Sequence, residues 1–503
     1  MNDSINSESE RKLFDRILKY TGVFGSVQGV AMAITLILTK VKSVLLGPAG
    51  YGITESLNRT ADVVKNVTNL GIQTVAVPGI SLSDDSSDRQ ELAGKILVTR
   101  SWALLTAMAG MAVTIVLAPL LGRWAFAGDR GYTLDFILLS AAVAAAAVTG
   151  GEIAVLRGTK LLRKIALSQL LASILSLCIS VPLYWFFRLD GIIPALVLTA
   201  LGTMLVTCCY SFRSFPYRSR PFSGKVLREG LGMIGFGLFF TVTAFLGAWA
   251  WSFIARFLTG KGGPELTGTY SAGYMLVTYF TTLLLSVTDS EYFPRLSAAG
   301  NDKDLLKRTA NNQSHAMLML SAPLVICFII VMPLVVYVVM EYEKFHSSIA
   351  LAQLAVAGVF FKSASQPLAY VILAKSDRVT YLIQETICYI LLIACILTGY
   401  NLLGIKGIGL SLAVWELLYL GIVLVVVKIR YDLGLTRDVV ISFLIQAILV
   451  SIVSALSQSG RNTALVISFV LLAVSAVYSY RFFRKHTSFL SGFGARIRRL
   501  FRQ

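Results

Sequence analysis

Charged residues are scarce in this chain, and histidine is almost missing. Of its 503 residues only 14% are charged and three are histidine, whereas 56% are hydrophobic and the mean hydropathy is +0.72. These values exclude an ordinary soluble globular protein and are typical of polytopic membrane proteins. With no metal-site spacing among so few histidines, the sequence predicts neither a metal nor a cofactor. The six cysteines fall inside apolar runs, which indicates small buried hydrophobes and not disulfides.

No cleavable signal peptide is visible at the start of the chain. Residues 1–10 are polar, and the first apolar run is too long and too polar on one face for the core of a signal peptide. The loops are short, so no separate soluble domain is expected. The sequence therefore predicts that the first helix itself directs insertion.

Apolar segments of spanning length, roughly 20 residues each, recur at about fourteen places. They lie near 20–46, 54–80, 96–121, 132–156, 162–187, 190–212, 228–258, 268–293, 312–340, 346–373, 378–400, 406–429, 436–456 and 462–484. The expected fold is all-α, a polytopic membrane protein of about 14 transmembrane helices. Lys and Arg concentrate in alternate loops, which predicts an even number of crossings with both termini cytoplasmic. Most of the net charge of +18 is thus a topology signal, and no nucleic-acid partner is expected.

A hydrophobic hairpin at residues 22–81 carries more polar side chains than lipid tolerates. Steps of three and four residues predict one shared helix face for Arg59, Asp62, Asn66, Asn69 and Gln73. Adjacent membrane helices with polar stripes must face each other or line a wet cavity, because unpaired charge in hydrocarbon costs several kcal/mol. We expect this hairpin to form one wall of a hydrated, positively charged cavity.

The seventh and eighth segments repeat the first and second. Arg256 ends a polar helix face as Lys40 and Lys42 do, and a Gly/Pro-rich turn at 260–264 then matches the turn at 47–52. Two sets of six segments predict two pseudo-symmetric six-helix lobes around a central cavity. The expected domains are an N-lobe at 1–222 (helices 1–6), a C-lobe at 223–431 (helices 7–12), and 432–503 with helices 13–14 and a basic amphipathic tail.

Two short motifs carry a family resemblance. The turn Leu46-Gly47-Pro48-Ala49-Gly50-Tyr51-Gly52 and the run Tyr292-Phe293-Pro294-Arg295-Leu296-Ser297 are similar to the multidrug/oligosaccharidyl-lipid/polysaccharide flippase superfamily. Within it the chain looks most like the polysaccharide-synthesis (Wzx-type, O-antigen or lipid III) flippases. The extra pair of helices resembles the lipid II flippase branch, where such helices form a groove for the lipid tail.

The resemblance implies alternating-access transport of an undecaprenyl-pyrophosphate-linked oligosaccharide across the bacterial inner membrane. The lipid bilayer is an implied partner, together with polysaccharide polymerase and chain-length machinery. Arg and Lys suit such a substrate because they neutralise and hydrogen-bond phosphate oxygens. For Lys40 and Lys42, snorkelling to headgroups is an equally good interpretation. The candidate cations are Arg59, Arg256, Lys362, Lys42, Lys40 and Lys65.

Five acids are candidates for binding a coupling ion, namely Asp62, Glu152, Asp289, Glu385 and Glu416. Each also has a plainer interpretation. Asp62 lies three residues after Arg59 and suits an ion pair with it, and Asp289 suits the orientation of Arg295. The three glutamates lie alone in apolar helices, where interhelical hydrogen bonds explain them equally well.

Two transport functions and one enzymatic function are the alternatives for a chain with these residues. Bases outnumber acids on the facing hairpins, which favours a flippase for an anionic lipid-linked sugar over a drug or organic-cation antiporter of the same fold. A polymerase or glycosyltransferase would need a sizeable loop with convergent acids, histidine or arginine outside the bilayer. No such loop is present, so no enzymatic activity is expected.

Overall fold

The computed structural model describes residues 2–85, 89–128, 131–221, 223–298, 300 and 302–486. All regular structure within them is helical. The predicted amphipathic tail lies outside the described residues. The helices are α1 (Asn2–Thr68), α2 (Ile72–Asp85), α3 (Arg89–Ala125), α4 (Thr133–Gly158), α5 (Leu162–Phe187), α6 (Ile192–Phe212), α7 (Gly224–Ala298), α8 (Lys303–Val339), α9 (Tyr342–Phe345), α10 (Ser347–Ala374), α11 (Arg378–Tyr431), α12 (Arg437–Ser457) and α13 (Asn462–His486).

Ten helical stretches among these residues are long and apolar enough to cross a membrane. Three are interrupted by glycines with non-helical backbone angles, at Gly47 in α1, Gly263 in α7 and Gly404 in α11. A fourth, Leu162–Phe212, contains the 3-10 turn Arg188–Gly191 between α5 and α6. Ten stretches with four interruptions give fourteen segments within the described chain. The predicted all-α, multi-pass membrane fold is confirmed.

The second predicted segment, 54–80, is not one continuous helix. α1 ends at Thr68, and Leu70 and Gly71 take left-handed backbone angles (φ 49° and 67°) before α2 begins. The single polar face predicted from Arg59 to Gln73 is therefore wrong at its end, because Gln73 lies beyond this break. Propensity reasoning missed it because a short left-handed turn leaves the hydropathy of the segment unchanged.

Backbone conformation repeats along the chain at a register of 216 residues (263 minus 47). Gly47 and Gly263 share nearly the same angles (φ 64°, ψ −172° and φ 68°, ψ −176°), in a region essentially open only to glycine, and each precedes a proline. The same register relates other left-handed residues and helix starts: Lys160 with Ser376, Arg188 with Gly404, and Leu162 at the start of α5 with Arg378 at the start of α11. The repeat inferred from two motifs thus extends to the backbone itself.

Packing divides the chain into two compact units. Unit 1 comprises the described residues of Met1–Gly268 and Val339–Glu341, and unit 2 those of Thr269–Val338 and Tyr342–Gln503. This division differs from the expected boundary at 222/223 because the expected boundary follows the sequence repeat, whereas the two units follow the packing of the chain. The two predicted lobes and their central cavity stay predictions.

Candidate functional site

A cavity of about 350 Å³ lies within unit 1, and we call it the first cavity. Lys65 is its charged lining residue, and the Lys65 Nζ lies 3.0 Å from the Asp62 Oδ1. The remaining polar lining consists of amides and hydroxyls, from Asn58, Gln73, Thr149, Ser176, Thr199 and Thr203. Lys65 therefore meets a membrane-embedded space that offers many neutral hydrogen-bonding groups.

The ion pair suggested between Asp62 and Arg59 is not formed. Asp62 pairs with Lys65, whereas the Arg59 Nε lies 3.8 Å from the Glu55 Oε2. The Arg59 guanidinium also lies over the Trp251 ring, 5.7 Å from its centroid. A cation above an indole gains about 0.5–2 kcal/mol, so these contacts draw Arg59 away from Asp62.

Unit 2 contains a second cavity of about 330 Å³. Lys362, in the middle of α10, donates to Glu416 from α11 with an Nζ–Oε1 distance of 3.1 Å. The Lys362 Nζ also lies 6.0 Å from the centre of the Trp415 ring. The Lys362 side chain is 38% exposed and that of Glu416 is 12% exposed. A cation at this depth needs a counter-charge or water, and here Glu416 supplies the counter-charge.

Hydroxyl, amide and aromatic groups complete the second cavity. Its other lining residues of these kinds are Tyr274, Thr278, Thr281, Thr282 and Gln366. Glu385 is not among the lining residues. It is buried beside the cavity and accepts a 2.8 Å hydrogen bond from the Tyr419 hydroxyl. The side chain of Asp289, the remaining candidate acid of this region, lies outside the described residues.

The two cavities occupy equivalent places in the repeat. Nine lining positions of one match lining positions of the other at the register of 216 residues. The pairs are Asn58/Tyr274, Lys65/Thr281, Leu139/Ala355, Ala142/Gly358, Ala146/Lys362, Gly150/Gln366, Leu196/Leu412, Thr199/Trp415 and Ala200/Glu416. The second cavity thus has its ion pair where the first has two alanines. Sequence reasoning missed this equivalence because the lining residues are unlike one another.

Glu152 belongs to a buried network with Arg100, a residue that the sequence analysis did not single out. Both residues are 2% exposed, and Arg100 donates from Nε to Oε1 at 2.9 Å and from Nη2 to Oε2 at 3.0 Å. Arg100 also donates to the carbonyls of Phe215 and Pro216, at 3.1 and 2.9 Å. These contacts tie α3 and α4 to the connection after α6. The sequence signal was present, because Arg100 is a cation inside a predicted spanning segment.

Lys40 and Arg256, both predicted to bind substrate, donate to backbone carbonyls in unit 1. Lys40 donates to the carbonyl of Met340, one residue past the end of α8. Arg256 donates to the carbonyl of Trp124 at 3.2 Å, and its guanidinium lies 4.4 Å from the centre of the Trp124 ring. Both contacts obey the same register, since 256 minus 40 and 340 minus 124 each equal 216. Cations are favourable at helix ends of this polarity.

The turns that follow these two cations touch each other reciprocally, again within unit 1. A Cβ on Gly52 would lie 1.8 Å from the Pro264 carbonyl oxygen, and a Cβ on Gly268 would lie 1.9 Å from that of Pro48. Glycine is required at both positions because the backbones approach so closely. We call residues 40–52 the first tip and residues 256–268 the second tip. Lys42 is half-buried in the first tip, and its role stays a prediction.

The fold is shared with solved structures of membrane transporters. Lipid II flippase MurJ in an inward closed conformation matches with a TM-score of 0.70 and 13% identity, over 92% of this chain and 99% of that chain. An inward-facing multidrug resistance MATE family transporter matches with a TM-score of 0.59 and 12% identity, over 88% and 96%. A MOP superfamily transporter from Pyrococcus furiosus matches with a TM-score of 0.58 and 13% identity, over 82% and 96%. At such low identity these matches establish the fold.

The family is established by sequence. A family model described as polysaccharide biosynthesis protein matches residues 41–350, more than half of the chain, and the chain belongs to that family. No curated protein matches the sequence. The resemblance to the polysaccharide-synthesis flippases of the MOP superfamily is thereby confirmed. The family is that of polysaccharide biosynthesis proteins, and the fold is shared with solved structures of a lipid II flippase and a multidrug transporter.

Proposed function

We propose that the protein is a flippase for an anionic, lipid-linked oligosaccharide. The substrate is an undecaprenyl-pyrophosphate-linked unit of an O-antigen or similar surface polysaccharide. It moves by alternating access from the cytoplasmic to the outer leaflet of the bacterial inner membrane, and both chain termini are cytoplasmic. Family membership supports a role in polysaccharide biosynthesis, and the shared fold of a lipid II flippase supports lipid-linked cargo.

The observation that carries the proposal is the charge of the two equivalent cavities. Lys65 lines the first, Lys362 and Glu416 line the second, and no other charged residue is among their described lining residues. Among the residues that line the cavities, two cations face one carboxylate, because Asp62, which pairs with Lys65, is not a lining residue. The lining itself therefore has a positive surplus. Such a surplus favours a phosphate-bearing substrate over an organic cation.

The neutral lining suits the sugar portion of the substrate. Thr149, Thr199 and Thr203 in the first cavity and Thr278 and Thr282 in the second offer hydroxyls. These groups both donate and accept, as sugar hydroxyls do. The Trp415 ring is a platform of the kind that packs against a sugar face. Arg59, which lies deeper in its helix than Lys40 and Lys42, is proposed as a further phosphate-binding group.

Coupling is proposed at the two acids that pair with cavity lysines. Asp62 pairs with Lys65 and Glu416 pairs with Lys362, so protonation or ion binding at either acid would release a lysine into its cavity. Glu152 is less suited, because Arg100 already neutralises it in a buried network. The polymerase and chain-length machinery of polysaccharide assembly are the protein partners that this function implies.

An organic-cation antiporter is the second candidate, and the MATE matches favour it at the level of fold. The Pyrococcus furiosus transporter is described as having a binding pocket of reverse polarity, which suggests a different function for that protein. Pocket polarity is therefore the feature to test in this chain.

The experiment is transport in proteoliposomes that contain the full chain. A fluorescent undecaprenyl-pyrophosphate oligosaccharide reports flipping through its accessibility to an impermeant quencher, and ethidium uptake reports cation transport. Lys362→Gln and Lys65→Gln are each expected to lower flipping at least about tenfold, because each removes a charge-assisted contact to phosphate. Lys428→Gln is the matched control, since Lys428 has a carboxylate partner in Asp432 but lies outside both cavities.

Normal flipping by both cavity variants would contradict the proposal. Ethidium transport that rises when Lys362 is neutralised, with no lipid-linked sugar moved by the wild type, would favour the antiporter.

A further inference from the structure

A third cavity, which we call the basic cavity, lies in unit 2 where α12 and α13 meet the start of α8. Its volume is about 870 Å³, more than twice that of the first cavity at about 350 Å³. α12 and α13 follow the two repeated halves, and both contribute lining residues to this cavity.

Four cations line the basic cavity, namely Lys307, Arg308, Arg481 and Lys485. Two carboxylates, Asp304 and Asp438, line the same cavity. All six side chains are exposed, and within the described part of the chain none of the four cations forms an ion pair. The lining of the cavity therefore has a surplus of positive charge, with four cations and two carboxylates.

The wall of the basic cavity is held in place by buried polar contacts. Asn311 is 5% exposed, donates to the Gly434 carbonyl at 3.0 Å and accepts from the Thr436 amide at 2.8 Å. These bonds fix the connection between α11 and α12 against α8. His315 and Ser442 are 2.9 Å apart, which joins α8 to α12. These bonds fix the parts of α8 and α12 that form the wall of the cavity.

The start of α12 adds to the positive potential. Thr436 precedes the helix without making a side-chain cap, so the first amides of α12 are not satisfied by a capping oxygen. A helix N-terminus attracts anions through such amides and through its dipole. The alternation of basic loops assigns this end of the segments to the inner membrane surface, where basic pockets between helices bind anionic head groups.

We propose that the basic cavity binds a phosphate group through Lys307, Arg308, Arg481 and Lys485. Two sources share this chemistry, the phosphodiester head group of an anionic phospholipid and free inorganic phosphate. Either ligand would neutralise the four cations and join α8, α12 and α13. The proposal does not depend on the cargo of the transporter, because the basic cavity shares no lining residue with the first or second cavity.

The experiment measures lipid and phosphate binding by the purified full chain. Native mass spectrometry counts bound phosphatidylglycerol against phosphatidylcholine, and thermal melting compares inorganic phosphate with chloride at equal ionic strength. The variants are Lys307→Gln/Arg308→Gln and Arg481→Gln/Lys485→Gln. Arg157→Gln/Arg163→Gln is the matched control, since both arginines are exposed on a predicted inner loop and do not line the cavity.

Each cavity variant is expected to bind phosphatidylglycerol roughly tenfold more weakly, whereas the control stays near wild type. Asn312→Lys adds a cation to the cavity lining and is expected to strengthen binding, a gain that misfolding cannot imitate. If phosphate stabilises the wild type and these changes affect phosphate alone, the ligand is free phosphate. Unchanged binding of both ligands by the cavity variants, or an equal loss in the control, would overturn the proposal.

Discussion

The first and second cavities are built from equivalent positions of the repeat but differ in how they hold charge. In the first, Lys65 and Asp62 pair along one helix, and the Asp62 side chain is 51% exposed. In the second, Lys362 and Glu416 come from different helices, 54 residues apart in sequence. The repeated backbone therefore supplies the space, and the residues particular to each half supply the charge. One fold can therefore accommodate different charged residues in its cavities and so suit different substrates.

The same contrast applies to the buried network of Arg100 and Glu152. The equivalent positions in the second half are Ala316 and Leu368, which carry no charge. The repeat thus has a buried ion pair at these positions in one half and apolar side chains in the other. We expect that mutation can exchange one for the other.

The largest loss of stability is expected from breaking the ion pair between Arg100 and Glu152. Glu152→Leu leaves the Arg100 guanidinium buried without its counter-charge, which costs about 3–5 kcal/mol of unfolding free energy. Arg100→Ala/Glu152→Leu, which installs the residues of the second half, should recover much of that loss. Thermal unfolding in detergent measures both. If the double variant is no more stable than the single, the two halves are not interchangeable here.

The next largest loss of stability is expected at the two tips, whose backbones are in close contact. Gly52→Val and Gly268→Val each place a side chain where a carbonyl oxygen already lies, and overpacking of this kind costs about 1–3 kcal/mol or more. The reciprocal contact predicts similar losses of stability and of transport for the two variants. Gly79→Val is the control, because a Cβ there meets no atom within 4 Å. A large loss at one glycine with none at the other would contradict the reciprocity.

Much of this architecture could be read from the sequence. Hydropathy gave the fourteen segments because each must bury its backbone in about 20 apolar residues, and the Gly-Pro turns marked the repeat. The equivalence of the two cavities could not be found that way, since Ala146 and Lys362 occupy equivalent positions but are unlike in chemistry. The hydrogen-bond acceptors of Lys40 and Arg256 could not be predicted from the sequence either, because they are backbone carbonyls far away in the chain.

The two tip cations are expected to differ in how well they tolerate exchange. Arg256→Lys loses the planar contact with Trp124 and is expected to cost about 1 kcal/mol, whereas Lys40→Arg has no ring at Met340 to lose and should cost less. Thermal unfolding of the two variants checks the order. Trp124→Met, which copies the residue found at 340, should abolish the difference between Arg and Lys at position 256.

The smallest change in stability is expected at the N-terminal caps of α5 and α11, which are equivalent helices in the repeat. Asp377 caps α11 by accepting from the Thr380 amide at 3.2 Å, whereas Leu161 precedes α5 with no side-chain cap. Burial acts to raise the pKa of Asp377, but hydrogen bonds from Thr380, Arg430 and Tyr431 outweigh it and lower that pKa. Asp377→Leu should therefore cost about 1 kcal/mol at neutral pH.

A carboxyl with a lowered pKa stabilises the fold above its unfolded pKa of about 3.9, and that contribution is lost as the pH falls through the lower folded value. The melting temperatures of the wild type and Asp377→Leu should consequently differ at pH 7 and converge toward pH 3. Leu161→Asp installs the cap of the second half in the first and should raise stability with the same pH dependence. A difference that stays constant from pH 7 to pH 3 would mean that the Asp377 carboxylate does not supply the cap.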